Sequence, residues 1–283
     1  MDELNELRIA ARNRLILCIT GVIVLELAAW RITHSFPGFL VVSLVVSFLL
    51  KFTAISPLER YRSVYKKRFV HKALQAHFSD LRYAPNRGIS QETIAGLHMM
   101  NMGTSFSSED YFQGTYKGLR LEQSDVEIKK QGKRNSMILF RGRWMIVDFN
   151  KPLRTDIQII QKGFFFAVPS GFSRVEMESE SFNQDFVVLA QNAHDAFYVI
   201  TPAFMERIQN LMREDTSLML CFVGNQLHLA INDGKDAFEP GNVFRKLPTR
   251  ADTMAWVIEN EIKEITQLID TLELDNDLFL PTE

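Results

Sequence analysis

The sequence predicts an α+β protein with an N-terminal two-helix transmembrane hairpin, a long juxtamembrane helix, and then a cytosolic domain of antiparallel β-hairpins and packed helices. Three observations carry this expectation. Two long apolar runs lie close together near the N-terminus, a capped helical segment follows them, and from Ser105 onward short runs alternate with a period of two between turn residues. With 283 residues, 46% hydrophobic and 23% charged, the chain is long enough for one or two folded domains with a real core. The formal net charge of -2 gives no overall attraction to nucleic acid, so none is expected as a partner. The two cysteines, Cys18 and Cys221, make no disulfide framework and read as small apolar side chains in a reducing compartment.

The first apolar run, "LILCITGVIVLELAAWRI", extends from Leu15 to Ile32, and "FLVVSLVVSFLLKF" follows from Phe39 to Phe52 across a Pro37-Gly38 turn. At about 1.5 Å per residue the first run makes a helix of about 27 Å, against a hydrocarbon core of about 30 Å. The second run reaches that length only if Phe36 and Ile55 are counted in and Lys51 snorkels. Arg8, Arg12 and Arg14 precede the first run, and Lys51, Arg60, Arg62, Lys66, Lys67, Arg68 and Lys72 follow the second. The positive-inside rule then predicts a two-pass protein of the bacterial cytoplasmic membrane with both termini cytoplasmic and the lipid bilayer as a partner. Glu26 sits inside the first run, where a carboxyl group reads either as a polar residue that pairs helices or as part of an oligomeric relay.

Ser56, Pro57 and Glu59 make a capping box for a helix that continues through "YRSVYKKRFVHKALQAHFSDLRY". Its cations Arg60, Arg62, Lys66, Lys67 and Arg68, interleaved with Tyr61, Tyr65 and Phe69, are candidate contacts to a membrane surface or a partner. The plainer reading is that they set topology. The domain boundaries that follow are 1–55 for the hairpin and its tail, 56–104 for the juxtamembrane region, and 105–283 for the α+β domain.

Within that domain "YFQGTYKGLRLEQSDVEIKK" predicts strands around a Lys117-Gly118 turn, and "SMILFRGRWMIVDFN" a further strand after the tip "KKQGKRN". The segment "LMLCFVGNQLHLAIN" predicts a hairpin turning at Gly224-Asn225. Between them "TPAFMERIQNLMRE" is a helix with Thr201 as cap and Pro202 at its first position. At the C-terminus Ile258, Ile262, Ile265, Ile269 and Leu272 form an apolar seam for about two heptads, which suits either a helix packed within the chain or a homodimer.

This organisation resembles a bacterial membrane-anchored family catalogued as domain of unknown function 3137. The likeness rests on "LRYAPNRGIS", "SSEDYFQGTYKG", "FRGRWMIVDFNK", "FVVLAQNAHDAFYVITPAFMERI" and "LCFVGNQLHLAI" together with the N-terminal runs. The resemblance implies a cytosolic α+β domain on a membrane hairpin. It implies no activity and no catalytic residue.

No phosphate loop, GxGxxG turn, HExxH, CxxC or GxSxG elbow is present, so no cofactor, metal or catalytic residue is expected. Three polar clusters remain. Glu176, Glu178 and Glu180 in "VEMESES" would share one face of a strand and offer oxygen ligands, or simply guard an edge. His194 and Asp195 in "NAHDAFY" resemble a base and its orienter, yet adjacent residues point apart and a helix cap is the plainer role. Lys129, Lys130, Lys133 and Arg134 at a hairpin tip are candidate contacts to anionic lipid or an acidic partner. The expected function is a membrane-anchored, non-enzymatic binding or scaffold module for an unknown protein partner. The alternatives are a membrane-tethered hydrolase using Glu176, Glu178, His194 and Asp195, and an oligomeric pore or relay around Glu26.

Overall fold

The computed structural model describes every residue except 1, 34–39, 41–42, 46–56, 133–134, 149–152, 165, 245–250 and 275–283. It divides into two compact units. The first comprises residues 1–72 and 239–258, and the second residues 73–238 and 259–283.

The second unit is built on one antiparallel sheet of nine strands in the order β1-β2-β3-β4-β9-β8-β5-β7-β6. The strands are β1 (Ser79–Ala84), β2 (Ser105–Tyr116), β3 (Leu119–Gln131), β4 (Ser136–Asp148), β5 (Ile157–Gln161), β6 (Ser173–Val175), β7 (Phe186–Ala190), β8 (Ser217–Val223) and β9 (Gln226–Asn232). The local hairpins form where turn residues permit them. Lys117 and Gly118 both adopt positive φ between β2 and β3, and Gly224 takes φ 57° between β8 and β9. Long-range pairing of β4 with β9 and of β5 with β8 fuses these hairpins into one sheet.

Alternation sorts the side chains onto two buried faces. On one, Val126, Ile128, Phe140, Trp144, Met219 and Ala230 pack with Ile89, Ile94, Leu97 and Met99 of the segment around α4 (Gln91–Gly96). On the other, Leu121, Met145, Val147, Leu220, Phe222 and Leu229 are all at most 1% exposed. Helix α7 (Pro202–Asn210) covers part of this second face, with the Phe204 ring 6.0 Å from that of Phe222. Because both faces are covered, the central strands read as nearly continuous apolar runs. Thr201 caps α7 by accepting from the Phe204 amide at 3.2 Å, with Pro202 at the first helical position. Two shorter helices, α5 (Glu180–Asp185) and α6 (Ala193–Val199), flank β7.

Helix α8 (Ala251–Leu272) falls in the first unit over residues 251–258 and in the second over 259–272. Its seam residues Ile262, Ile265, Ile269 and Leu272 are fully buried within the chain. Polar bonds hold this part of α8 to the sheet: Tyr116 and Lys117 both reach Asp270, and Arg143 of β4 donates to the Glu261 carbonyl.

The first unit contains α1 (Asp2–Thr33), α2 (residues 57–65), a π-helical turn at Lys66–Val70 and the start of α3 (His71–His77). Arg8 is buried and donates to the Val243 carbonyl at 3.0 Å and to the Asn5 side chain, and Leu4 and Ala11 are buried with it.

The expected transmembrane hairpin is overturned, and with it the two-pass inner-membrane location. Among the described residues no helix is long and apolar enough to cross a membrane. A span needs about 20 predominantly apolar residues. The run from Leu15 to Ile32 supplies eighteen, with Glu26 and Arg31 inside it, and belongs to a helix that begins at Asp2 and opens on a charged segment. Large apolar side chains on α1, among them Leu17, Val24, Leu27 and Trp30, are exposed. Most of the second run, the Pro37-Gly38 turn and Ser56 of the capping box lie outside the described residues.

Candidate functional site

The polar chemistry of the second unit gathers on the sheet face that α8 covers. Strand alternation on β3 sends Leu119, Leu121, Gln123 and Asp125 to one face, and Asp125 stands directly across from Arg143 of β4. Asp110 reaches the same region through a bulge. Glu109 pairs with Asp125 and Phe112 with Gln123, so two residues of β2 oppose one of β3, and Asp110 sits there with φ 55° and no exposed surface. The Tyr83 hydroxyl donates to Asp110 Oδ1 at 2.6 Å, and the Ala237 amide donates to Asp125 Oδ2 at 2.5 Å. Asp236, which is exposed, completes a group in which carboxylate oxygens of Asp110, Asp125 and Asp236 lie within 4.8 Å of one another.

Beside this group Arg143, 3% exposed, pairs with Asp233 at 3.4 Å and with Glu264 of α8, which also takes Lys235 at 3.3 Å. Glu261 accepts from the Phe238 amide at 2.9 Å. Burial acts differently on each acid. It pushes the Asp125 carboxyl well above the usual range, reinforced by Asp110 and opposed by the Ala237 amide and Arg143. It pushes Glu261 up to about 7 against the Phe238 amide and Arg143. At Glu264 burial is outweighed by the hydrogen bond and charge of Arg143, and the carboxyl is held low. On the opposite sheet face His228 is pushed down to about 4 by burial, and its Nδ1 accepts from the Trp144 indole at 3.3 Å.

Several buried polar atoms have no hydrogen-bond partner among the described residues: both amide atoms of Gln123, Asp125 Oδ1, Arg143 Nε and Gln158 Oε1. Two cavities border Arg143 and Asp125, and a third lies apart from these atoms. One of about 200 Å³ opens on Arg143, Asp233, Lys235 and Glu264 beside Leu211 and Leu218. A small one of about 50 Å³ is lined by Asp125, Asp236, Glu109, Glu127, Arg141 and Lys235 among others. The largest, about 740 Å³, lies between the 96–101 turn and the 166–172 loop. Its walls include Leu97, Met100, Phe166, Pro169 and Phe172, with His98, Asp156 and Gln191 as polar groups.

The polar clusters singled out from sequence fall elsewhere. "VEMESES" is not one strand: β6 ends at Val175, Glu176 and Glu178 lie in the following loop, and Ser179 caps α5 by accepting from the Phe182 amide, with Glu180 as its first residue. A cap ends the extended run, because a serine that holds a free amide competes with strand pairing. Asn192 caps α6 by accepting from the His194 amide at 2.9 Å, His194 is exposed, and Asp195 accepts from the Thr155 hydroxyl at 2.6 Å. None of Glu176, Glu178, His194 and Asp195 lines these cavities.

Lys129 pairs with Glu127 at 2.6 Å and Lys130 is exposed at the end of β3, while Lys133 and Arg134 lie outside the described residues. In the first unit Arg62 and Lys66 both pair with Glu239, at 3.1 and 2.7 Å, with Lys66 buried; Arg68 pairs with Glu3, and Arg60 and Lys67 are exposed. Glu26 accepts from the Ser43 hydroxyl at 3.1 Å.

The acids that the fold does bring together were missed because no motif spaces them. A signal existed nonetheless. In "LRLEQSD" the alternation that buries Leu119 and Leu121 must bury Gln123 and Asp125 as well, and a buried Asp is the informative exception.

Among solved structures, the mycobacterial trehalose monomycolate transport factor A, TtfA, matches with a TM-score of 0.43 and 6% identity, covering 78% of this chain and 98% of that chain. A likeness of that degree carries no argument about function. No functionally curated protein matches. Residues 138–274, from within β4 to just beyond α8, match the family described as "Protein of unknown function (DUF3137)", and over that stretch the chain resembles this family, without the membrane anchor being part of the match.

Proposed function

We propose that the second unit is a non-catalytic binding module whose cleft between the 96–101 turn and the 166–172 loop holds an elongated apolar ligand or segment. The observation that carries this reading is the cleft itself. Its volume of about 740 Å³ falls in the range of ligand sites, and apolar side chains from two separate segments face a few polar groups across it. Leu97 anchors one wall, because the Gln158 side chain donates to its carbonyl at 2.7 Å from the sheet below. The Arg174 guanidinium lies 6.0 Å from the centre of the Phe166 ring on the other wall.

Titration of the full chain with a fluorescent naphthylamine tests the proposal. Saturable binding near one equivalent, lost in Phe172→Glu and Met100→Glu but kept in Phe197→Glu on α6, supports it. Unsaturable binding, or equal binding in all three variants, rejects the cleft. Turnover of an ester, phosphate or peptide substrate that disappears with His98→Ala or Asp156→Asn rejects the non-catalytic reading.

A further inference from the structure

We propose that Asp110, Asp125 and Asp236 form a binding site for a hard divalent cation. The geometry comes first. Three carboxylate oxygens, each within 4.8 Å of the others, have a common point within about 2.8 Å of all three, close to the oxygen distances of bound calcium after a small contraction. The donor set is oxygen alone, which suits calcium, magnesium or manganese and not the nitrogen- and sulfur-seeking metals.

The second observation is independent of the cluster's charge. Asp125 is only 5% exposed, and while its Oδ2 takes the Ala237 amide, its Oδ1 has no hydrogen-bond partner among the described residues. A buried carboxylate oxygen without a donor is costly, and such an atom requires a partner. Gln123, two residues earlier on the same face, also has no exposed surface and neither amide atom partnered among the described residues. The small cavity of about 50 Å³ borders Asp125 and Asp236, though not Asp110, and has Glu109 and Glu127 on its walls, which gives an ion an acidic approach to the group. Arg141, 3.4 Å from Asp236 and 3.7 Å from Glu127, and Lys235 stand at the same cavity, so net charge there is moderated, not simply negative.

The backbone prepares the site. The bulge in β2 turns Asp110 inward, and the β9 to Phe238 segment brings Asp236 and the Ala237 amide to Asp125.

Full-length protein stripped with a chelator is melted in calcium, magnesium or manganese chloride at pH 8, against potassium chloride at matched ionic strength. Manganese binding is also followed by loss of the free-ion paramagnetic resonance signal. The expected result is a saturable rise in Tm with at least one of the three ions and about one bound manganese per chain. Asp125→Asn abolishes both, and Asp236→Asn, at an exposed position that does not threaten folding, weakens binding at least tenfold. Absence of any shift with all three ions overturns the proposal. Binding that is unchanged in Asp125→Asn and Asp236→Asn places the ion elsewhere and overturns it equally.

Discussion

Replacement of Glu261 by Gln tests whether the polar layer beneath α8 is held together by charge or merely tolerates it. Glu261 is pushed from an ordinary value of 4.5 up to about 7, chiefly by burial, although the Phe238 amide and Arg143 favour its charged form. The folded state therefore holds a proton that the unfolded chain releases. Its contribution to stability is fully present below about pH 4.5 and is lost as pH rises through about 7. A displacement of that size corresponds to about 3 kcal/mol between the two limits.

Gln has no proton to lose and keeps an oxygen for the Phe238 amide, so its stability lacks this dependence. Relative to the parent, Glu261→Gln should gain about 3 kcal/mol between pH 4.5 and pH 8. Urea unfolding of both proteins at the two pH values reads the difference directly. If Glu261→Gln is destabilising by the same amount at both, the carboxyl is ionised throughout and acts as a favourable partner of Arg143.

His228 is displaced in the opposite sense, from 6.5 down to about 4, so its contribution is present above about pH 6.5 and is lost as pH falls through about 4. His228→Gln, which keeps an acceptor for the Trp144 indole, should therefore flatten the acid limb of stability between those values, and an unchanged limb in urea titrations would contradict the assignment. Arg143→Met should cost about 3–5 kcal/mol, because Asp233 at 4% side-chain exposure is left without its cation. Adding Asp233→Asn should restore part of that loss, and strictly additive costs in thermal unfolding would show that the two do not interact.

What could be read from sequence was whatever local chemistry decides. Lys117-Gly118 and Gly224-Asn225 mark turns through the backbone angles that their residues accept, Thr201 and Pro202 start α7 through a cap and a fixed φ, and the Ile262 to Leu272 spacing marks the buried side of α8. Pairing at a distance was not legible. Nothing in "LMLCFVGNQLHLAIN" states that its second strand will lie against β4, or that β5 will join β8 to β7, so separate hairpins were expected where one sheet forms.

The membrane expectation failed for a related reason. Apolar length and flanking cations predict a span only if each is free to serve a bilayer. Arg8 instead spends its charge on the Val243 carbonyl and Lys66 on Glu239, both partners far along the chain. The acidic group was hidden in the same way, since Asp110, Asp125 and Asp236 meet only after a bulge, a strand register and a loop have each been set. Yet Asp125 itself was exposed to inference. On a strand whose inward positions are Leu119, Leu121 and Gln123, a fourth inward residue that carries a carboxyl has no apolar reason to be there. The residues that violate their own strand's pattern are therefore the ones to test first, and in this protein they lead to the carboxylate cluster and not to the glutamates or the His-Asp pair that looked catalytic in the linear sequence.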